Sequence, residues 1–167
     1  MPIPAALNLA IAKKVKRTTY ELVYEKTYWS AYKELDFGYT DPFNTGSSLL
    51  NATLTAKYDN PKDKLWKDTN TYRLGITHEY TFDLTLMFGF AIDENPVPDS
   101  TLGYELPDSD AKIYSCGFEK NIDEKSSFGM AYLFDDKESR TVTNADVAGT
   151  FTGAGAHLLT MAYKLRF

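Results

Sequence analysis

The sequence predicts an all-β chain: an antiparallel, up-and-down sheet of about seven strands with the surface chemistry of a transmembrane β-barrel. Three observations point there. Apolar residues recur with period two in seven separate segments. The connections between those segments alternate between short and long. The face opposite the large apolar residues is mostly Gly, Ala, Ser and Thr, where the surface strand of a soluble protein carries more Lys and Glu.

Each segment is justified by its own alternation. The first sets Ala5, Leu7, Leu9 and Ile11 against Ala6, Asn8, Ala10 and Ala12. From Thr19 to Ser30 the apolar row Tyr20, Leu22, Tyr24, Tyr28 is interrupted by Lys26. Next, Tyr72, Leu74, Ile76 and Tyr80 oppose Thr71, Arg73, Gly75, Thr77 and Glu79, with His78 the polar residue on the apolar side. Leu84, Leu86, Phe88, Phe90 and Ile92 then oppose Thr85, Met87, Gly89 and Ala91. Between Ala111 and Glu119, Tyr114, Cys116 and Phe118 oppose Ile113, Ser115, Gly117 and Glu119. From Ser126 to Phe134, Phe128, Met130, Tyr132 and Phe134 oppose Ser127, Gly129, Ala131 and Leu133. The last fourteen residues are the most regular, with His157, Leu159, Met161, Tyr163, Leu165 and Phe167 on one face. A bulge is one explanation for the weaker alternation of the second and fifth segments, and the sequence alone does not prove it. An eighth extended piece is expected from Leu49 to Tyr58.

Short polar links lie around Lys16-Arg17-Thr18, from Glu79 to Asp83 and from Lys120 to Lys125. Long links run from Glu34 to Trp66, Asp93 to Asp110 and Asp135 to Gly153. Short turns therefore collect at one end of the sheet and long loops at the other. Outer-membrane barrels sort their connections in this way, with short periplasmic turns and longer extracellular loops.

Composition excludes several alternatives. At 167 residues with 14% aromatics the chain is one ordered region, residues 1–167, and not intrinsically disordered. A net charge of −5 argues against an electrostatic nucleic-acid binder. One cysteine, Cys116, excludes a disulfide framework, and two distant histidines offer no zinc set, so no metal or other cofactor is expected. No cluster of acid, base and nucleophile suggests an enzyme. No apolar run is long enough for a transmembrane helix. The mean hydropathy of −0.37 averages two unlike faces and polar loops, and so hides an apolar surface. Met1-Pro2-Ile3-Pro4 has no basic region before the apolar stretch and does not read as a signal peptide.

Certain stretches resemble a known family. Trp29-Ser30, Trp66-Lys67-Asp68-Thr69, Tyr72-Arg73-Leu74-Gly75, Asn95-Pro96-Val97-Pro98-Asp99, Leu106-Pro107-Asp108-Ser109-Asp110 and Ala156-His157-Leu158-Leu159, ending in Phe167, occur in the order seen in the C-terminal part of FadL/TodX outer-membrane transport proteins. That resemblance implies a bacterial outer-membrane location and passive uptake of long-chain fatty acids or aromatic hydrocarbons. It also implies a fourteen-stranded barrel plugged by an N-terminal hatch, of which seven strands are half. On this reading the chain is a fragment, a truncated product or half of a split protein, completed by a chain that supplies the remaining strands. An open sheet would leave backbone groups unpaired in hydrocarbon, at several kcal/mol each. The family's ligand-binding parts lie largely outside the resemblance, so no ligand-binding residue is carried over.

Other residues are weighed on their own chemistry. Arg73 and Glu79 project from the small-residue face and are lumen-facing candidates; a bracing ion network is the favoured role. His78 and His157 fall on the apolar face near opposite strand ends, where an interfacial position fits better than catalysis. The two prolines of Asn95–Asp99 must end a strand. Asp93, Glu94, Asp99, Glu105, Asp108 and Asp110 lack the spacing of a calcium loop and read as solvated acids, with weak divalent bridging to lipopolysaccharide as the other reading. The alternation Met161, Leu165, Tyr163 before an aromatic Phe167 resembles the signal read by the barrel-assembly machinery. The partners implied are outer-membrane lipid, lipopolysaccharide, that machinery and a hydrophobic small molecule, and no nucleic acid. Two rival folds are a soluble lipocalin-like barrel with its large apolar face inward and a small adhesion barrel. The direction of Leu84, Leu86, Phe88 and Phe90 separates the lipocalin-like fold from the membrane barrel.

Overall fold

The computed structural model describes residues 3–36 and 43–166. Seven long strands form one sheet: β1 (Ala6–Val15), β2 (Thr18–Thr27), β3 (Thr69–Glu79), β4 (Leu84–Asp93), β5 (Ala111–Asn121), β6 (Ser126–Lys137) and β7 (Gly155–Leu165). Their order in space is their order in sequence, and every neighbouring pair is antiparallel. Each strand has 10–12 residues. At about 3.3 Å per residue and a tilt of about 45°, that length crosses a hydrocarbon layer.

The register carries the two-face pattern across all seven strands. Ile11, Leu22, Leu74, Phe90, Tyr114, Phe134 and His157 follow one another as direct partners along one row. A one-residue slip anywhere would exchange the faces, so this continuity fixes the register. Aromatic neighbours on the same face add cross-strand contact: Tyr24 with Tyr72 at 5.5 Å and Phe90 with Tyr114 at 5.3 Å between ring centroids. Each such pair contributes roughly 0.2–1 kcal/mol.

The bulge is not needed, and one local expectation needs correction. Neither β2 nor β5 is bulged, since pairing runs residue by residue along both edges of each. Lys26 breaks the apolar row because it stands at the strand end, where its ammonium lies 5.5 Å from the Tyr28 ring centroid. The segment Leu49–Tyr58 is helical: α1 (Ser48–Leu54) continues into a wider turn at Thr55–Asp59. Ser47 caps α1 by accepting the Leu50 amide, and Asn51 accepts from the Thr45 amide and hydroxyl, so local hydrogen bonds outweigh the β preference of its threonines.

The short connections are tight. Lys16, in the two-residue turn between β1 and β2, has φ 55°, a left-handed conformation more often given to glycine or asparagine. The long connections fold on one another. Two small antiparallel pairings, Glu34–Leu35 with Lys62–Asp63 and Arg140–Thr143 with Ala148–Phe151, belong to the long connections. Val97, Leu102, Val142 and Val147 are buried together there, with Trp66 and Phe151 packed against them. The apolar core of the described chain is thus a cap over the long-loop end, while the faces of the sheet remain open.

Candidate functional site: the inner face and the cavity beneath the loops

Two ion pairs show which face is concave. Lys14 of β1 reaches Glu79 of β3, and Lys164 of β7 reaches Glu119 of β5 at 2.8 Å, each spanning an intervening strand. Strands two apart lie about 9.6 Å from one another, so side chains bridge them where their tips converge. All four residues belong to the small-residue face. Ser127 of the intervening β6 also donates to Glu119, at 2.9 Å. The opposite face splays outward: Phe88 is 53% exposed and Leu74 38%. Leu84, Leu86, Phe88 and Phe90 share that outer face, an arrangement opposite to that of a lipocalin-like barrel.

Small residues keep the middle of the inner face clear. Gly75 lies opposite Gly89, Gly89 opposite Ser115, Gly117 opposite Ala131 and Gly129 opposite Ala162. At Gly117 a Cβ would meet Ala131 Cβ and the Met130 carbonyl oxygen at 3.0 Å, so any side chain there would press on the neighbouring strand. Toward the long-loop end, Arg73 forks onto Glu25 with nitrogen–oxygen distances of 3.3 and 3.4 Å. Arg73 and Glu79 therefore lie on the same face, in separate ion pairs, and are not brought together.

The loops roof the upper part of this face and leave a cavity of about 410 Å³. Its roof includes Trp29, Trp66, Pro96 and Leu106, and its floor includes Thr71 and Arg73. Trp29 follows β2 directly and Trp66 precedes β3, so the antiparallel β2–β3 pair delivers both indoles to one place. They meet edge-on at 5.1 Å, and Tyr32 meets Trp66 edge-on at 4.8 Å. The Ser30 hydroxyl and, at 3.0 Å, the Ser30 amide donate to Asp68 and hold that carboxyl below its ordinary range.

The acidic residues of the second long loop, Asp93 to Asp110, are partnered. Asp99 receives the Arg140 guanidinium, Glu105 receives Lys64 at 2.6 Å, and Asp108 receives Lys137 at 2.6 Å. Asp110 accepts the Asn95 amide, Glu94 accepts both nitrogens of Asn70, and Asp93 accepts the Thr71 hydroxyl. They tie the loop internally, and Glu94, Asp99, Glu105 and Asp110 also stand exposed, in keeping with the reading of solvated acids. Among the described residues no cluster suited to a metal ion is present.

Sequence reasoning missed Arg140 and Asn144. Arg140 also donates to the carbonyls of Asp108 and Val97, both at 2.6 Å. Asn144 donates to the Asp99 and Leu102 carbonyls, and its own oxygen accepts from the Asp146 and Val147 amides. The Asn-Ala-Asp turn between two Thr-containing segments was the available signal. His157 stacks on Phe134 at 4.7 Å and bonds to the Tyr132 hydroxyl, while His78 bonds to Thr18 at the opposite end of the sheet. Cys116 is exposed on the outer face between Phe88 and Tyr132. Met161, Tyr163 and Leu165 line the outer face of β7, and Phe167 lies outside the described residues.

Three of the segments that carried the family resemblance meet at the cap, while Tyr72-Arg73-Leu74-Gly75 and Ala156-His157-Leu158-Leu159 lie in β3 and β7. Trp29-Ser30 meets Trp66 and Asp68, the Lys67 amide donates to the Pro96 carbonyl, and Val97 enters the small core. Comparison with known proteins agrees. The family described as outer membrane protein transport protein (OMPP1/FadL/TodX) matches residues 1–167. A long-chain fatty acid transport protein of Salmonella typhi is 29% identical over 116 residues, 68% of this chain and 23% of that protein. One from Escherichia coli O6:H1 is 27% identical over 138 residues, 81% of this chain and 27% of that protein. The chain thus spans about a quarter of the length of these curated relatives. The crystal structure of a Pseudomonas aeruginosa FadL homologue superposes with a TM-score of 0.69 at 18% identity, over 96% of this chain and 33% of that one.

Proposed function

The chain belongs to the OMPP1/FadL/TodX family of outer membrane transport proteins, and from that premise we propose that it forms part of the wall of an outer-membrane barrel that admits hydrophobic compounds by passive diffusion. The observation that carries the reading is the division of faces: a continuous outer row of Leu, Phe, Tyr and Ile against an inner wall of Gly, Ala, Ser and Thr. Lipid favours the first, and a lumen open to cargo needs the second. The relatives from Salmonella typhi and Escherichia coli are long-chain fatty acid transport proteins; for this chain we propose hydrophobic small molecules as the cargo class. Arg73 and Glu79 belong to the lumen lining, where their ion pairs brace the wall. The long loops face the exterior, and the outer-face cations Lys26 and Lys112 near the loop end meet lipid and lipopolysaccharide head groups.

The test is localisation together with uptake. Cells carrying the chain behind an export signal, alongside the strands that complete the barrel, are expected to hold it in the outer membrane and to gain uptake of a labelled hydrophobic compound. A folded periplasmic protein that needs no detergent would overturn the reading. We also propose that Phe167, with Leu165, Tyr163 and Met161, is read by the barrel-assembly machinery; removing Phe167 is expected to lower the membrane-inserted fraction in the same cells.

A further inference from the structure

The inner wall carries an uneven set of charges. Its strands present Glu21, Glu25, Glu79, Asp93, Glu119 and Asp135, against Lys14, Arg73, Lys137 and Lys164. All four cations are already neutralised, by Glu79, Glu25, Asp108 and Glu119 respectively. Glu21 has no ion-pair partner among the described residues, Asp93 accepts the Thr71 hydroxyl and shares the field of Lys137 with Asp108 and Asp135, and one carboxylate oxygen of Asp135 is buried with no hydrogen-bond partner. The surplus on this wall is therefore negative, and no strand cation is left free to receive an anion.

The cavity beneath the loops concentrates the same imbalance. Glu25, Asp93 and Asp108 border it, and Arg73, its one lining cation, is held by Glu25. Above them stand the two indoles, with Pro96 and Leu106. A volume of about 410 Å³ lies within the range of small-molecule sites, roughly 300–1,000 Å³. Aromatic walls give apolar area at low entropic cost, and carboxylates in a cleft raise the local concentration of cations and lower that of anions. We infer that this cavity is a receiving site for uncharged hydrophobic molecules, and that its surplus carboxylates turn away molecules bearing a carboxylate. The inference rests on the transport reading for its context and deepens it by naming the charge class of the cargo.

The chain itself supplies the reporter, because its two tryptophans are Trp29 and Trp66. Nitrobenzene and 4-nitrobenzoate both quench indole fluorescence and differ in the carboxylate. Titrated into the full chain in neutral detergent micelles at pH 7.5, nitrobenzene is expected to quench with saturation, and 4-nitrobenzoate to need at least tenfold higher concentration. Glu25→Gln frees the Arg73 guanidinium and Asp93→Asn removes a second charge. Together they are expected to narrow that gap to about threefold or less, with far-UV circular dichroism confirming that the variant keeps its β structure. Equal affinity for the two quenchers in the parent chain would overturn the inference, as would a gap indifferent to the variants or quenching that never saturates. Failure of the transport reading is seen separately: saturable, charge-selective quenching without uptake in cells sinks transport and leaves the site, and uptake without such quenching does the reverse.

Discussion

Arg140 holds the loop cap together with one side chain. Its side chain is 14% exposed, and the guanidinium serves the Asp99 carboxylate and two carbonyls from separate parts of the second long loop. Only a planar fork with several fixed donors can reach all three. Arg140→Ala is therefore expected to cost about 3 kcal/mol of local stability, and Arg140→Lys to recover little of it. Limited proteolysis checks this: cleavage within residues 94–110 should rise sharply while the seven strands stay protected. This residue shows why the site was only partly legible. Period two placed Arg73 and Glu79 on the inner face, because side-chain direction in a strand follows from parity alone. Arg140 lies in a loop, where no periodicity relates it to Asp99 or Asp108, and its partners come from positions about forty and thirty residues away.

At the scale of elements, β4 offers the sharpest contrast between faces. Phe88 and Met87 are adjacent near mid-strand, one outward and one inward. Phe88→Arg places a charge toward lipid and is expected to cost about 2–4 kcal/mol, whereas Met87→Arg, facing a lumen, costs less. Urea midpoints for folding into short-chain phosphatidylcholine vesicles measure the difference, and equal losses would contradict the orientation. All seven strands were readable from sequence because alternation over ten or more residues leaves few alternatives. Leu49–Tyr58 was misread because its threonines and apolar residues suit a strand, while the deciding features are a Ser47 cap and an Asn51 side chain that act only in three dimensions. The loops have a pH response of their own. A hydrogen bond from Lys64 holds the Glu105 carboxyl below the usual range. The tie is therefore complete above about pH 4.3, the unfolded carboxylate value, and is lost as pH falls through the depressed value of the folded state. Trp66 and Glu105 line one pocket, so tryptophan emission should shift to the red in acid below that range, and Glu105→Gln should remove the pH dependence. Glu105 is half-exposed, so the change is small.

The whole molecule is a curved wall with a lid at one end, and the two parts are stabilised differently. The sheet relies on hydrogen bonds between strands and on what covers its outer face, since Leu9, Leu22 and Met161 stand more than half exposed. The lid has its own small apolar core and its own ion pairs. The sequence pattern revealed the wall, whereas the lid joins residues far apart in sequence that no periodicity relates. The number of strands in the wall then sets a rule of parity. With seven strands in strict alternation, β1 and β7 run in the same direction. A second copy of this wall, in the same membrane orientation, could meet it only along two parallel seams. Antiparallel closure at both edges demands a complement whose outer strands both run the other way, which is to say another odd number of strands, so that the closed barrel comes out even.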